Sequence, residues 1–393
     1  MTGGGVDSSV VVVGAGVAGA STVQALRRRG HTGPIVVLGA ESTGPYERPP
    51  LAKGYLRGDE DASTLASPTS QLEGVAWHLG SSVIGTDLDA QWVMDEHGDR
   101  HSFDHLVVAT GATPRRLNLP FGTLTLRTVS DANELKARLT PGAQLVVVGG
   151  GFLGFEVAAT ARQLGVEVTV VELSSQPFAD RLGARAAGAL LALHCAHGVR
   201  IEAGTRVIDG ERRGDGAVIE LANGETLDAD VVLESVGAVP DLSWLTSAGL
   251  EQESGLLCNQ YCEAAPGVWA VGDAARFWHS GYARYVRLEH RTNASEQAAA
   301  VAAGILGKRN RYAPVPFVWT DHYDTRIQIA GAIAAVGLGV VDHHDNGAWV
   351  ETFHQSGDLV GGVAWRAIKE FQSCRRDLLA RAREWPDVDP PTS

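Results

Sequence analysis

Cysteine is scarce in this chain of 393 residues: four, at 195, 258, 262 and 374. No regular spacing joins them. That argues against a disulfide framework and against a cysteine motif for an iron–sulfur cluster. Basic charge is also in short supply, with 33 Lys and Arg against 46 Asp and Glu and a formal net charge of -13. Such a balance counts against general binding to nucleic acid or to an anionic membrane, though not against a local basic patch. Long apolar runs are missing. The longest, at 10–20 and 330–341, fall short of the roughly 20 residues that cross a bilayer. The opening MTGGGVDSSV has neither the basic start nor the apolar segment of an export signal, so a soluble, cytoplasmic protein is expected.

What is present is apolar enough, at 44%, to argue against extensive disorder. At roughly 150 residues per domain, the length allows two to three domains. Glycine is plentiful and clusters between β-branched runs and helical patterns. Val10–Val13 reads as a buried strand, Ala18–Arg29 as a helix stopped by Gly30, and Ile35–Leu38 as the next strand. The pattern returns 135 positions later, as Leu145–Val148, Gly154–Leu164 and Val168–Glu172. Two similar β-α-β openings in one chain say more than either alone.

Between and after these units the chain changes character. Residues 76–110 alternate as antiparallel strands do. Asn223-Gly224 predicts a hairpin turn. GVWAVGDAA at 267–275 reads as strand, tight turn and helix start, and 294–306 reads as a helix. Strands near 325–330, 348–354 and 358–364 precede a charged helical run at 366–384, and PDVDPPTS reads as a loose tail. The run Asp342, His343, His344 and Asp345 has charged residues side by side, but adjacent strand side chains diverge and Asp345-Asn346-Gly347 predicts a turn, so no metal site is expected.

Each β-α-β unit opens with G-x-G-x-x-G: Gly14, Gly16 and Gly19, then Gly149, Gly151 and Gly154. In such a turn the first glycine permits the sharp bend, the second lets backbone approach a pyrophosphate, and the third lets helix and strand pack closely. The helix start offers free N–H groups and a favourable dipole to phosphate. Glu41 follows the first unit and Glu172 ends the second, both suited to ribose hydroxyls. A 2′-phosphate would put negative charge beside Glu172, and no Arg follows in LSSQP, which favours NADH over NADPH. Two dinucleotides on one chain suggest electron transfer between them.

Six stretches sharpen this reading: GPYERPPLAKGYLRG at 44–58, VVVGGGFLGFEVAATARQLGVEVTVVE at 146–172, GAVPDLSWL at 237–245, GVWAVGDAARF at 267–277, VRLEHRTNASEQ at 286–297 and PVPFVWTDHYDTRIQIAG at 314–331. Together they resemble the FAD-dependent ferredoxin reductases of bacterial cytochrome P450 and aromatic-ring dioxygenase systems, over nearly the whole chain. The resemblance implies an α/β fold with two Rossmann-like dinucleotide-binding domains plus a small α+β C-terminal domain. FAD would occupy a discontinuous domain, 1–112 and 238–314, NADH a domain at 113–237, and residues 315–393 would form the third. It further implies that Arg48, Pro49 and Lys53 lie beside the isoalloxazine, that Glu156 sits near the nicotinamide, and that Trp319 approaches the flavin from the third domain. Asp273 would contact the ribityl or pyrophosphate portion, and Gly237 and Gly272 belong to the cofactor motifs. Taken singly these residues read more plainly: Lys53 as a surface lysine, Glu156 as a helix-surface carboxylate, Trp319 as packing, Asp273 as a helix cap.

The chain departs from that pattern in places. Ala40 stands where an acidic residue is common, Arg291 replaces an aromatic residue, His322 stands where Gln is frequent, and Glu234 and Ser235 replace smaller or apolar residues. The implied activity passes electrons from NADH through FAD to a small acidic ferredoxin serving an oxygenase. Arg284, Arg287 and Arg291, within a basic cluster that includes Arg276, Lys308, Arg309 and Arg311, are the expected docking region. Disulfide reduction is disfavoured because Cys258 and Cys262 lie far from the Pro49–Lys53 loop in sequence and no cysteine occurs at 30–60. NADH oxidase or quinone reductase activity, and a flavin-bearing NADH-responsive interaction protein resembling apoptosis-inducing factors, remain as alternatives.

Overall fold

A computed structural model describes residues 5–67, 72, 74–333, 339–386 and 388–390. Val10–Val13 is β-branched throughout and buried along its whole length, as a strand covered on both faces must be. After the glycine turn, the helix Val17–Arg28 lays Ala18, Gly19, Thr22, Val23 and Leu26 on the sheet. The left-handed Gly30 helps end it, and Ile35–Gly39 returns parallel, with Val10 opposite Ile35. On the other side Val10 lies opposite His105. Six strands result, in the order Glu263–Ala265, Val268–Ala270, His105–Val108, Val10–Val13, Ile35–Gly39 and Val75–Leu79. All pairings are parallel except that of Glu263–Ala265.

The second unit repeats this logic. Gln144–Val148 lies between Glu167–Glu172 and Val231–Glu234, and Arg200–Ala203 completes four parallel strands. Its crossover helix, Phe152–Gln163, buries Gly154, Phe155, Val157, Ala158 and Ala161. A five-stranded antiparallel sheet, in the order 317–322, 325–331, 358–365, 349–355 and 340–343, forms the third layer with helix Phe371–Ala382 packed on it. One apolar cluster welds the pieces. It holds Leu51 and Tyr55 from the segment after the first unit, Phe155 and Leu182 from the second, and Ile327, Phe353 and Trp365 from the third. The architecture is α/β, with several sheets arranged as dinucleotide-binding proteins require. No helix among the described residues is long and apolar enough to cross a membrane.

Four expectations need correction. Val75–Leu79 and His105–Val108 join the parallel sheet, and only the strands within 83–102 form an antiparallel meander. His105–Val108 is buried on both faces, so its apolar run belongs inside a parallel sheet. No helix starts after GVWAVGD. A single 3-10 turn, Gly272–Ala274, leads into the strand Ala275–His279, whose Phe and Trp suit a strand better than a helix. The C-terminal sheet gains two strands, Phe317–His322 and Val340–His343. The tail beyond the last helix is strapped down: Trp278 donates to the Val388 carbonyl at 2.7 Å and Gln260 to Asp389 at 3.0 Å. Residues 334–338 of the apolar run at 330–341, Asp387, and 391–393 of the tail lie outside the described residues. The turn at Asp345–Gly347 and the Asn223-Gly224 hairpin form as read.

The close approach at Gly19 yields a test. A Cβ there would sit 2.0 Å from the Gly14 carbonyl oxygen. Gly19→Ala must push the helix off its strand, and urea unfolding should find it less stable by about 1–3 kcal/mol. An unchanged urea midpoint would mean that the turn relaxes freely.

Candidate functional site

In both glycine turns, packing dictates the first and third glycines, while the middle one faces open space. Gly14 has a φ of +116°, and a Cβ on it would lie 2.1 Å from the Ala109 carbonyl oxygen. Gly149, at +104°, would meet the Ser235 carbonyl oxygen at 2.4 Å, and Gly154 would meet that of Gly149 at 2.5 Å. Around Gly16 and Gly151 nothing lies within 4 Å of where a Cβ would stand. These two residues are also the helix N-caps, and neither helix start has a side-chain cap. The first-turn N–H groups therefore lack the partners they usually find.

Each turn has its carboxylate, but the two are held differently. Glu41 binds Arg48 at 2.6 Å and the Tyr46 hydroxyl at 2.6 Å. Glu172 accepts from the Gly150 N–H at 2.5 Å and from that of Ser174 at 2.7 Å, which ties it to the glycine turn itself. Near the first turn, Asp273 pairs with Arg127 at 2.9 Å. The Gly272 N–H is held by Gln297 at 2.8 Å, and Gly272 has a φ of +68°. Among the described residues, the buried polar atoms without a partner include Thr110 Oγ1, in the loop after His105–Val108, and His290 Nδ1, ahead of helix Arg291–Ile305. Gly237 has a φ of +97° with open space beside it.

Lys53 lies where three distant segments meet. Pro49–Ala52 forms a 3-10 turn that buries Leu51 and Ala52. Thr160 of the second crossover helix donates to the Ala52 carbonyl at 2.7 Å and locks that turn in place. Lys53 Nζ then reaches Glu156 at 2.9 Å and Asp321 at 3.2 Å. Glu156 also accepts from Thr320 Oγ1 at 2.6 Å. Burial pushes the Glu156 carboxyl up, and the Lys53 ammonium pulls it only part of the way back. At Asp321 burial raises as well, but Arg326 and Lys53 outweigh it and the carboxyl ends below its usual value. Trp319, half-buried on strand Phe317–His322, alternates with Thr320 and so shares a face with Phe317 and Asp321.

The model of the pyridine nucleotide-disulphide oxidoreductase family matches residues 8–298. Rhodocoxin reductase of Rhodococcus erythropolis is 35% identical over 85% of this chain and 80% of its own length. The ferredoxin reductase component of chlorobenzene dioxygenase from Cupriavidus sp. is 37% identical, over 95% and 93%. Among solved structures, the ferredoxin reductase for the CYP199A2 system of Rhodopseudomonas palustris superposes with a TM-score of 0.91 at 29% identity, covering 97% of both chains. The reductase in the putidaredoxin reductase–putidaredoxin complex does so at 0.88 and 30%, covering 94% and 93%. This chain belongs to the FAD-dependent ferredoxin reductases of oxygenase systems.

Several of the residues singled out in the sequence converge in space. Lys53 and Glu156 touch, and Trp319 stands on the strand that supplies their partners. Arg127, Thr320 and Asp321, not singled out in the sequence, join them as partners of Asp273, Glu156 and Lys53. Thr320 and Asp321 lie inside a motif already noted, VWTDH, but nothing in the sequence marks Arg127. Asp273 is no helix cap, since no helix follows it. The basic cluster is largely neutralised: Arg291 grips Glu47 with two nitrogens, Arg287 pairs with Glu289, Arg276 with Glu253 and Arg309 with Glu263. Arg284 is exposed, over the Tyr282 ring. Glu234 is buried because the Leu117 N–H and the Thr123 hydroxyl both donate to it. Cys258 and Cys262 are buried, and burial pushes Cys262 up to about 12. Among the described residues no group of His, Cys, Asp and Glu could hold a metal ion.

Lys53→Met would strand the buried Glu156 carboxylate. A carboxyl whose folded pKa is raised keeps its share of stability below the ordinary value, near 4.5, and loses it as pH rises through the folded pKa. Without Lys53 that loss should deepen and extend upward. Relative to the parent, the variant should weaken steadily from acid to neutral pH, by about 3 kcal/mol at the end. Adding Glu156→Gln should flatten the difference. Parallel urea-midpoint curves for parent and Lys53→Met across this range would contradict the pairing.

Proposed function

We propose that this chain carries electrons from NADH through FAD to a small iron–sulfur protein that serves an oxygenase. The observation that supports this most directly is the Lys53–Glu156 pair, which joins the loop after the first glycine turn to the helix that opens at the second. The open sides of Gly16 and Gly151, the uncapped helix starts and the unpartnered Thr110 and His290 atoms suit two bound dinucleotides. We take residues 1–112 and 238–314 as the FAD unit, 113–237 as the NADH unit, both Rossmann-like, and 315–393 as the α+β unit that closes over them.

In this reading Gly14, Gly16 and Gly19 receive the FAD pyrophosphate, with Asp273 and Gly272 on its other side, and Glu41 accepts from ribose hydroxyls while Arg48 holds it in place. Gly149, Gly151, Gly154 and Gly237 line the NADH site, where Glu172 selects a free 2′-hydroxyl. When bound, NADH supplies a hydride and FAD takes up the electron pair and gives electrons up singly. The protein orients the two rings and excludes water between them. Pro49 stiffens the loop that carries Lys53. Lys53 sets positive charge beside the reacting ring, Glu156 fixes that ammonium, and Trp319 covers the ring from the third unit.

The cysteines favour ferredoxin reduction over disulfide chemistry. All four are free, and neither Cys258 nor Cys262 can form a thiolate at neutral pH against the cost of burial. Relatives of this chain are named as parts of oxygenase systems, and the solved complex of putidaredoxin reductase with putidaredoxin supplies the kind of partner. An acidic ferredoxin would dock near Arg284, with Arg287 and Arg291 close by but paired with Glu289 and Glu47.

Anaerobic stopped-flow mixing tests the reading. The purified protein should carry flavin, and NADH should bleach it faster than NADPH. Glu172→Gln should erode that preference about tenfold, close to 1.4 kcal/mol. An unchanged ratio would remove Glu172 from the ribose site. Added ferredoxin should restore the flavin absorbance, and rising salt should slow this step more than bleaching by NADH. Equal salt effects on both steps would eliminate electrostatic docking.

A further inference from the structure

Behind the Lys53–Glu156 pair runs an unbroken line of hydrogen bonds to the surface. Thr320 Oγ1 lies 2.6 Å from Glu156 Oε1. His322 Nε2 lies 2.9 Å from Thr320 Oγ1. His194 Nε2 lies 3.2 Å from His322 Nδ1, and the Tyr323 hydroxyl lies 3.3 Å from His194 Nδ1. Thr320, His322 and His194 are all buried. Tyr323 is half-buried and stacks on the exposed ring of His197 at 3.6 Å. Three of the groups come from one stretch, Thr320 to Tyr323, Glu156 faces it from helix Phe152–Gln163, and His194 is brought in by the long helix Ala179–Ala196.

We propose that Thr320, His322, His194 and Tyr323 form a proton relay between Glu156 and solvent. Every member can both give and accept a hydrogen bond. Burial lowers His194 to about 2 and, with help from the Lys53 charge, His322 to about 3, so both imidazoles are neutral and each has one N–H and one bare nitrogen. The charged and titratable groups facing the line are Lys53 and Asp321 at its inner end and His197, Arg162 and Cys195 near its outer end, and the Phe155 backbone carbonyl also faces His322.

The protonation state of Glu156 sets the direction of the whole line. An ionised Glu156 only accepts, so Thr320 must donate to it, His322 Nε2–H to Thr320, His194 Nε2–H to His322, and Tyr323 O–H to His194. A protonated Glu156 donates, and every bond reverses. Passing from the second state to the first breaks the O–H bond of Glu156, shifts one proton along each link, and releases the Tyr323 proton to water. One proton leaves, Glu156 becomes a carboxylate, and both histidines change tautomer without becoming charged. The reverse shift loads Glu156 from solvent. Its use in turnover rests on the function proposed above: each NADH oxidised by two one-electron acceptors leaves one proton to be delivered to water.

The test reads the carboxyl group itself. Flavin-loaded protein, at a pH low enough for the carbonyl band of protonated Glu156 to be present, is mixed rapidly into D2O and followed in the infrared. Glu156→Gln identifies the carbonyl band of the protonated side chain. In the parent protein, that band should shift to its deuterated position within the mixing experiment. His322→Gln keeps a polar side chain but cannot shuttle a proton between two nitrogens, and Tyr323→Phe cuts the line at its half-exposed end without opening the core. Both should slow the exchange by at least about tenfold. Exchange as fast as the parent's in either correctly folded variant overturns the relay, because the proton then leaves by another route. The readout needs neither NADH nor ferredoxin. Slowed exchange in a protein that fails to oxidise NADH would therefore leave the relay standing and remove the reductase reading, and unslowed exchange in an active reductase would do the reverse.

Discussion

The partly buried contact of Lys53 with Glu156 holds the functional part of this molecule together. It joins a loop that leaves the first β-α-β unit, a helix that opens the second, and, through Asp321 and Thr320, the edge strand of the third layer. A charge taken out of water is costly unless it is paired and hydrogen-bonded. With the ammonium largely withdrawn from water, its partners are held within hydrogen-bond range, and so are the segments that carry them. The apolar cluster that surrounds this contact, with Leu51, Phe155 and Ile327 from the same three regions, supplies the burial that makes it strict.

The two glycine turns are built on a common constraint with different surroundings. In each, carbonyl oxygens crowd the first and third glycines and leave the middle one open. The carboxylates then diverge. Glu172 is bound to the backbone of its own turn, whereas Glu41 is held by Arg48 and Tyr46 from the loop that also carries Lys53. Arg48 Nη1 reaches on to the Arg127 carbonyl, and Arg127 pairs with Asp273. The first site is thus knit from residues spread over more than half the chain, while the second is largely local. An electrostatic network of this kind keeps its groups oriented before any ligand arrives.

Charge at the expected docking region shows why counting basic residues in a sequence can mislead. Seven Arg and Lys residues between 276 and 311 look like a positive patch, yet the carboxylates of Glu47, Glu253, Glu263 and Glu289 reach four of them from elsewhere in the chain or from the same segment. Arg291 spends its fork on Glu47 and Ser295. The position therefore stiffens the loop before Lys53 instead of presenting a free cation.

The sequence by itself determined the two crossover units, because their signals are local: β-branched runs buried on both faces, glycines where the backbone needs positive φ or close approach, and apolar spacing along one helix face. It also determined the candidates Lys53, Glu156, Trp319 and Asp273, by resemblance of short motifs. Tertiary structure alone decided that Val75–Leu79 joined the parallel sheet, since its alternating pattern looks no different from the meander after it until its neighbours are in place. It alone decided that Arg127 would meet Asp273, that the tail would be strapped by Trp278, and that His194 would end beside His322. Contacts between side chains more than a hundred positions apart depend on packing, and local pattern holds no record of them.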